Sequence, residues 1–316
     1  MVVMVESVSS PVPQRRVILS GSSGFIGGRL TSLLVSRGYH VDRLVRCKPN
    51  PDQGEIGWNP DTGEIDSKSM EAAEAVIHLA GESIAGRWTA ARKAAILDSR
   101  VKGTRLLSET ISRLERKPRV FIPASAIGLY GNRGGESVHE ESAPGTGFLA
   151  DVCYQWEAAT QPASEAGIRV VNYRIGIVLA AEGGALAKML TPFKLGLGGR
   201  IGSGRQFMSW ISREDLVNAM EFLIRADSVA GPLNAVAPNP VTNAEFTKTL
   251  GAVLHRPTIF PMPEFMVRLI FGEMGQALLL EGAKVACAKL QASGYSFLHA
   301  TLENALRSEL SSSRSS

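Results

Sequence analysis

The stretch Val17-Ile18-Leu19-Ser20-Gly21-Ser22-Ser23-Gly24-Phe25-Ile26-Gly27 constrains this chain more than any other segment. A short β-branched run stops at Gly21. Ile26, Leu30, Leu33 and Leu34 then recur at helical spacing, with Gly38 placed to close the helix. The first glycine lets the chain turn sharply and the second lets backbone approach a pyrophosphate. The third lets the helix pack closely on the sheet, and the helix start offers unpaired N–H groups to phosphates. A second β-branched run, Val41 to Val45, follows at the distance a dinucleotide-binding unit requires.

The same alternation continues through the first half. Ala75 to Ala80, Val120 to Ile122 and Ile168 to Tyr173 are predicted as the third, fourth and fifth strands, with helices over about 89–114 and 148–165. This rhythm predicts an α/β fold, a doubly wound parallel sheet of Rossmann type. Residues 182–204 carry seven glycines and are predicted as a loop-rich excursion toward substrate. An amphipathic helix from Arg213 to Arg225 and a returning strand, Leu233 to Val236, come next, and the remainder to about Leu306 is mostly helical. The expected organisation is a leader over 1–15 and a nucleotide-binding domain over 16–178 to which 208–236 return. A smaller, interleaved C-terminal lobe is built from 179–207 and 237–306, and 307–316 form a disordered tail.

At the end of the second strand, where an NAD site places an acid against the ribose 2′-hydroxyl, this chain has Arg46, Cys47 and Lys48. Two cations there would pair with a 2′-phosphate that an acid would repel, which favours NADP(H) over NAD(H). The basic residues are otherwise scattered over a chain of net charge +4, which gives nucleic-acid binding no footprint. No apolar run approaches the roughly 20 residues of a membrane span. Three dispersed cysteines, Cys47, Cys153 and Cys287, form no disulfide framework and no metal cluster. The cytoplasm or another reducing compartment is expected, an organelle stroma or matrix if the source is a eukaryote.

The glycine loop together with His78-Leu79-Ala80-Gly81, Ser125-Ala126-Ile127-Gly128-Leu129-Tyr130-Gly131 and Trp210-Ile211 resembles the extended short-chain dehydrogenase/reductases. Gly81-Glu82-Ser83-Ile84, Leu195 to Gly199, Ile201 to Gly204, Asn234 to Pro238 and Thr242 to Phe246 make it similar, more narrowly, to their atypical, epimerase-like subgroup. Some members of that subgroup carry a cell-division inhibitor label. The resemblance runs from about Arg16 to Leu306. It implies cofactor contacts from residues 21–27, from Arg46 and Cys47, and from Leu79, Ala80 and Gly81. Arg100, which stands where relatives have Asn, would add to them, and Arg174 and Val178 would line the nicotinamide side.

Relatives catalyse with Tyr-x-x-x-Lys and an upstream Ser. Counting back from Glu157 puts Leu149 at the Tyr position and Cys153 at the Lys position, so the usual acid/base pair is missing, whereas Ser125 falls at the Ser position. Ser125 and Glu82 are the remaining catalytic candidates. Cys153, flanked by Leu149, Val152 and Trp156, is expected in the core. Tyr130 is expected to line the pocket or pack, and His78 to be structural. Two functions stay open: NADP(H)-dependent oxidoreduction or epimerisation of a small carbonyl or hydroxyl compound, or a non-catalytic NADP(H)-binding sensor or scaffold, in cell or organelle division. Monomer and homodimer also both stay open.

Overall fold

A computed structural model describes residues 15–312. Its centre is an eight-stranded sheet: β1 (Arg16–Ser20), β2 (His40–Val45), β3 (Glu55–Asn59), β4 (Glu64–Ile65), β5 (Ala75–His78), β6 (Val120–Ala126), β7 (Arg169–Ile175) and β8 (Gly231–Ala235). In space the order is β8-β7-β6-β5-β1-β2-β3-β4, and every pairing is parallel except β3 with β4. The chain starts in the middle, winds out to β3, and returns past β1 to wind out the other way. The order therefore reverses between β1 and β5, which opens a crevice at their carboxyl ends.

Both faces of the sheet are buried, so its strands are apolar throughout rather than alternating. Val17, Leu19, Ala75, Ile77, Val120 and Ile122 point to one face, where they meet α1 (Phe25–Ser36) and the helix Arg213–Arg225. Ile18, Val76 and Phe121 point to the other, where Leu107 and Ile111 of α2 (Ala90–Ser112) cover them. Side chains cap the helix starts: Thr89 accepts from the Arg92 N–H and Ser212 from the Asp215 N–H.

A further core gathers Leu179, Leu186, Phe193, Trp210, Phe246 and Leu306. Strand Ile177–Ala180 pairs with Trp210–Ser212 in a separate two-stranded sheet. No helix among the described residues is long and apolar enough to cross a membrane.

Several elements differ from the sequence reading. β3 was not expected, and Ala75–His78 is therefore the fifth strand in the chain, not the third. β3 is five residues long and shows its pattern only in buried Ile56 and Trp58, with polar or glycine residues between them. The expected helix over 148–165 is two, α3 (Phe148–Ala158) and a short Gln161–Glu165, because Pro162 starts a new first turn. The expected loop over 182–204 contains a helix, Gly184–Lys194, whose Leu186, Leu190 and Phe193 fall at helical spacing between the glycines. The expected tail is helical as far as Ser312: helix Leu302–Ser312 docks through Leu302, Ala305, Leu306 and Glu309. The expected leader lies outside the described residues except for Arg15, which pairs with Glu74 at 2.8 Å.

Candidate functional site

The carboxyl ends of β1 and β5 bring the glycine loop against Leu79 and Ala80. Gly21 has φ +72°, and a Cβ on it would stand 2.8 Å from the Ala80 nitrogen and 2.9 Å from the Leu79 carbonyl carbon. Only glycine allows that crossing. A Cβ on Gly27 would lie 2.1 Å from the Gly21 oxygen, so the helix seats directly on the loop. Gly24 caps α1 with no side-chain hydrogen bond, which leaves the first-turn N–H groups facing the loop mouth, a ready anion site. Ser22, Ser23, Phe25 and Ile26 complete the loop, and all four reach its surface at least in part. Beneath it, the register sets Ser20 beside His78, and Ser20 Oγ meets His78 Nδ1 at 2.5 Å. The same oxygen accepts the N–H groups of Leu79 (3.1 Å) and Ala80 (3.3 Å), fixing the loop's floor. Burial, helped by Arg100, pushes the His78 pKa down to about 3, so the ring stays neutral and structural.

At the end of β2, Arg46, Cys47 and Lys48 are exposed. Arg46 and Cys47 line one wall of a cavity of about 350 Å³. The opposite wall is Gly57, Trp58 and Asn59 of β3, with Glu64 and Asp66 at its edge. Sequence reasoning missed this wall together with the strand; the one available signal was the Ile56/Trp58 alternation. A larger cavity, about 920 Å³, is lined by residues 63–71 and 106–116, away from the strand ends where ligands of open α/β sheets bind.

Across β6, β7 and β8 the register makes a row of Ser125, Arg174 and Asn234. Glu157 of α3 reaches this row. Its carboxylate accepts Arg174 Nε and Nη2, both at 2.8 Å, and the Ser125 hydroxyl at 2.6 Å. Arg174 Nη1 donates to Tyr130 Oη at 2.8 Å, and Tyr130 in turn donates to Asn234 Oδ1 at 2.7 Å. Burial alone would lower the Arg174 pKa, but the bidentate Glu157 more than offsets it, and the net shift is upward. The Tyr130 phenol is pushed up, mainly by burial. Glu157 served only as a counting mark in the sequence, yet it is the hub of this network.

Leu149 and Cys153 lie one turn apart on the face of α3 toward Gly128: a Cβ there would stand 3.4 Å from Leu149 Cβ and 3.8 Å from Cys153 Sγ. Burial drives the Cys153 thiol up to about 12, so the residue at the Lys position is an inert core thiol. Arg100 lies nearby, stacked at 5.0 Å over Trp156, and Nη1 donates to the carbonyls of Glu82 (2.9 Å) and Ile96 (3.1 Å). It has no carboxylate partner among the described residues, and burial lowers its pKa. Gly81 rests on its guanidinium.

Glu82 does not join Ser125 by any hydrogen bond among the described residues. Its carboxylate pairs with Arg92 of α2 at 2.8 Å, half exposed. Val178 follows the bend at Gly176, where a Cβ would meet the Ser209 oxygen at 2.6 Å. The start of the helix Arg213–Arg225 also touches the first unit: Arg213 stacks over Phe25 at 5.1 Å, and Glu214 holds Arg29 of α1 at 2.6 Å. The sequence pattern gave no sign of that contact.

The model of the NAD dependent epimerase/dehydratase family matches residues 17–235, and that of a domain of unknown function, DUF1731, matches residues 262–309. Epimerase family protein Mb2239 of Mycobacterium bovis is 43% identical over 291 residues, 92% of this chain and 96% of that protein. Human epimerase family protein SDR39U1 is 37% identical over 297 residues, 92% of this chain and 98% of that protein. The crystal structure of human SDR39U1 (isoform 2) with NADPH superposes with a TM-score of 0.86 at 36% identity, covering 94% of this chain and 99% of that one. A nucleoside-diphosphate sugar epimerase from Corynebacterium glutamicum gives a TM-score of 0.77 at 36% identity, covering 94% of this chain and 58% of that longer one.

Proposed function

Because the chain belongs to the NAD dependent epimerase/dehydratase family, we propose that it binds NADP(H) and uses it on a small carbonyl or hydroxyl compound. The observation that carries this reading is the glycine loop: Gly21 crosses Leu79–Ala80 at van der Waals limit beside an uncapped helix start. The pyrophosphate belongs on residues 21–27, and the adenosine in the cavity between Arg46–Cys47 and Trp58. Arg46 and Lys48 hold the 2′-phosphate. Arg100, Arg174, Gly81 and Val178 border the nicotinamide side. The NADPH in the human relative's structure supports the same choice of cofactor.

The bound cofactor would supply or accept a hydride; the chain must manage the proton. Ser125 donates its hydroxyl hydrogen to Glu157, which leaves the oxygen's lone pairs free to accept. In the oxidative direction a substrate hydroxyl gives its proton to Ser125 Oγ as Ser125 passes its proton to Glu157. The relay neutralises Glu157 beside Arg174, which makes it costly and the turnover slow. Glu82, paired with Arg92, has no hydrogen bond to Ser125 among the described residues and stands outside this relay.

A second reading, an NADP(H) sensor without turnover, is favoured by one observation. The groups beside the strand ends are already engaged or untitratable near neutral pH: His78, Cys153, Tyr130 and Ser125 each have that property. Titration with NADPH and NADH, followed by tryptophan fluorescence, tests the common premise. Tighter NADPH binding, lost about tenfold in Arg46→Ala while NADH is unaffected, is expected; equal affinity for both dinucleotides sinks the NADP(H) assignment. Turnover lost in Ser125→Ala with NADPH affinity retained separates the enzyme from the sensor.

A further inference from the structure

Arg174 and Arg100 both stand near the strand ends, but only Arg174 has a carboxylate. It holds Glu157 through the Nε and Nη2 edge of its guanidinium. The same edge of Arg100 has no partner among the described residues, because both of its hydrogen bonds, to the carbonyls of Glu82 and Ile96, leave from Nη1. Its Nε and Nη2 are not sealed in the interior and reach solvent. The acids around it are taken: Glu82 pairs with Arg92, Glu157 with Arg174, and Asp98, two residues before it on α2, with Lys102. Arg100 is itself partly buried, with Trp156 at 5.0 Å and Gly81 against its guanidinium, and burial works against its charge. A cation so placed stays costly until an anion meets it.

Its position narrows the choice of anion. Gly81 lies just past the end of β5 and Ser125 near the end of β6, three and two residues beyond the pair His78 with Pro123. The dinucleotide reading above already provides for the cofactor's anionic parts, the pyrophosphate on residues 21–27 and the 2′-phosphate on Arg46 and Lys48. The nicotinamide end, which Arg100 borders, adds only an uncharged carboxamide and ribose. The empty fork is left for the compound bound beside it.

We propose that the substrate is a carboxylic acid, a small hydroxy or oxo acid, whose carboxylate lies side-on against Arg100 Nε and Nη2 while its reacting oxygen lies at Ser125. The proposal rests on the NADP(H) reading and names the substrate class of that site. Two parallel N–H donors in a planar fork match the two oxygens of a carboxylate, as Arg174 does with Glu157. The acid end does not react; holding it aims the neighbouring carbon. A hydroxy acid loses the hydride of its carbinol carbon to NADP⁺ and its hydroxyl proton to Ser125 and, through it, Glu157, which leaves an oxo acid and NADPH. A neutral alcohol of the same size leaves the fork unpaired and is the poorer substrate.

Isothermal titration calorimetry with oxalate up to about 10 mM, at fixed ionic strength and with or without NADPH, tests this. Oxamide, the uncharged diamide of similar shape, is the control. Oxalate should bind the parent protein and oxamide should not. Arg100→Met should weaken oxalate at least about tenfold, with Arg100→Lys, which keeps the charge and loses the fork, in between. In both variants NADPH should lose less affinity than oxalate. Circular dichroism checks the fold, and Arg100→Lys carries the test if Arg100→Met does not fold. No oxalate binding, equal binding of oxamide, or an oxalate affinity indifferent to Arg100 overturns the proposal. A larger loss of NADPH than of oxalate also overturns it, because the fork then belongs to the cofactor's phosphates. Arg100-dependent oxalate binding in a protein that takes up neither dinucleotide upholds the carboxylate site and refutes the NADP(H) reading alone.

Discussion

Replacing Glu157 by Gln tests the network that positions Ser125. Gln has nearly the same shape, but it offers one acceptor oxygen where the carboxylate offers two. Arg174 donates through both Nε and Nη2, so one of these N–H groups would face the new amide NH₂ donor. The Glu157 and Arg174 side chains are only 14% and 7% exposed, so water does not replace the lost bond. Arg174 keeps its bonds to Tyr130 and the Glu140 carbonyl but loses its counter-charge. Removing one partner of a buried pair costs about 3–5 kcal/mol, and the retained Gln oxygen places this case near 3. With a urea slope of about 3 kcal/mol/M, the unfolding midpoint falls by about 1 M. The control is Lys102→Ala, which breaks the solvent-screened pair with Asp98 and should leave the midpoint close to that of the parent protein. Glu157→Leu combined with Arg174→Met recovers most of the loss, since an apolar replacement leaves no orphaned charge. A Gln variant no less stable than the Lys102 control would refute the reasoning, because the pair would then be solvated and Ser125 unheld.

Burial lifts the Glu309 carboxyl to about 7, with Glu182 and Glu214 reinforcing the shift and Arg213 opposing it. Its folded pKa lies above its unfolded value near 4.5, so the folded state binds the extra proton and stability falls as pH rises from about 4.5 to 7. Glu309→Gln should raise the thermal midpoint at pH 8 and leave it unchanged at pH 4; a gain at both values would point to packing instead. Gly21→Ala places a methyl 2.8 Å from the Ala80 nitrogen at a φ of +72°, and should abolish dinucleotide binding in a fluorescence titration while the protein stays folded. In a thiol assay at pH 8, Cys47 alone should react in the folded protein, since burial holds Cys153 at about 12 and Cys287 at about 11. NADPH should protect it, and a fast-reacting second thiol would show that the core around α3 is open.

The elements that the sequence made legible are those in which pattern and punctuation coincide. β1 and α1 are written by Val17 to Leu19, the glycines and the Leu30, Leu33 and Leu34 stripe, and the helix Arg213–Arg225 appears with the limits its spacing predicted. β3 escaped because its burial rests on Ile56 and Trp58 alone, and its flanks, with Pro51, Gly54 and Gly63, look like loop. The helix Gly184–Lys194 escaped for the opposite reason: a high glycine count concealed eleven residues between Gly184 and Gly196 that contain none. Local composition measures cost, and tertiary burial can overrule it.

The candidate site divides along the same line. Gly21, Gly27 and Arg46 owe their candidacy to segments contiguous in sequence, so local pattern reaches them. Ser125, Glu157, Arg174, Tyr130 and Asn234 meet only because three parallel strands align in register and a helix lies across them. That register follows from β6, β7 and β8 being buried on both faces, which no short motif records. The meeting also accounts for the missing Tyr and Lys in physical terms. Leu149 and Cys153 turn the face of α3 that would carry an acid and a cation into packing against Gly128 and Ala126. The cation moves to Arg100 and Arg174, one lacking a carboxylate partner among the described residues and the other locked to Glu157. A site with its fixed charge on guanidinium groups holds anions well and moves protons poorly. If the chain turns over substrate, the proton step through Ser125 and Glu157 should therefore limit the rate, and a solvent isotope effect on kcat that vanishes in Glu157→Gln would identify it.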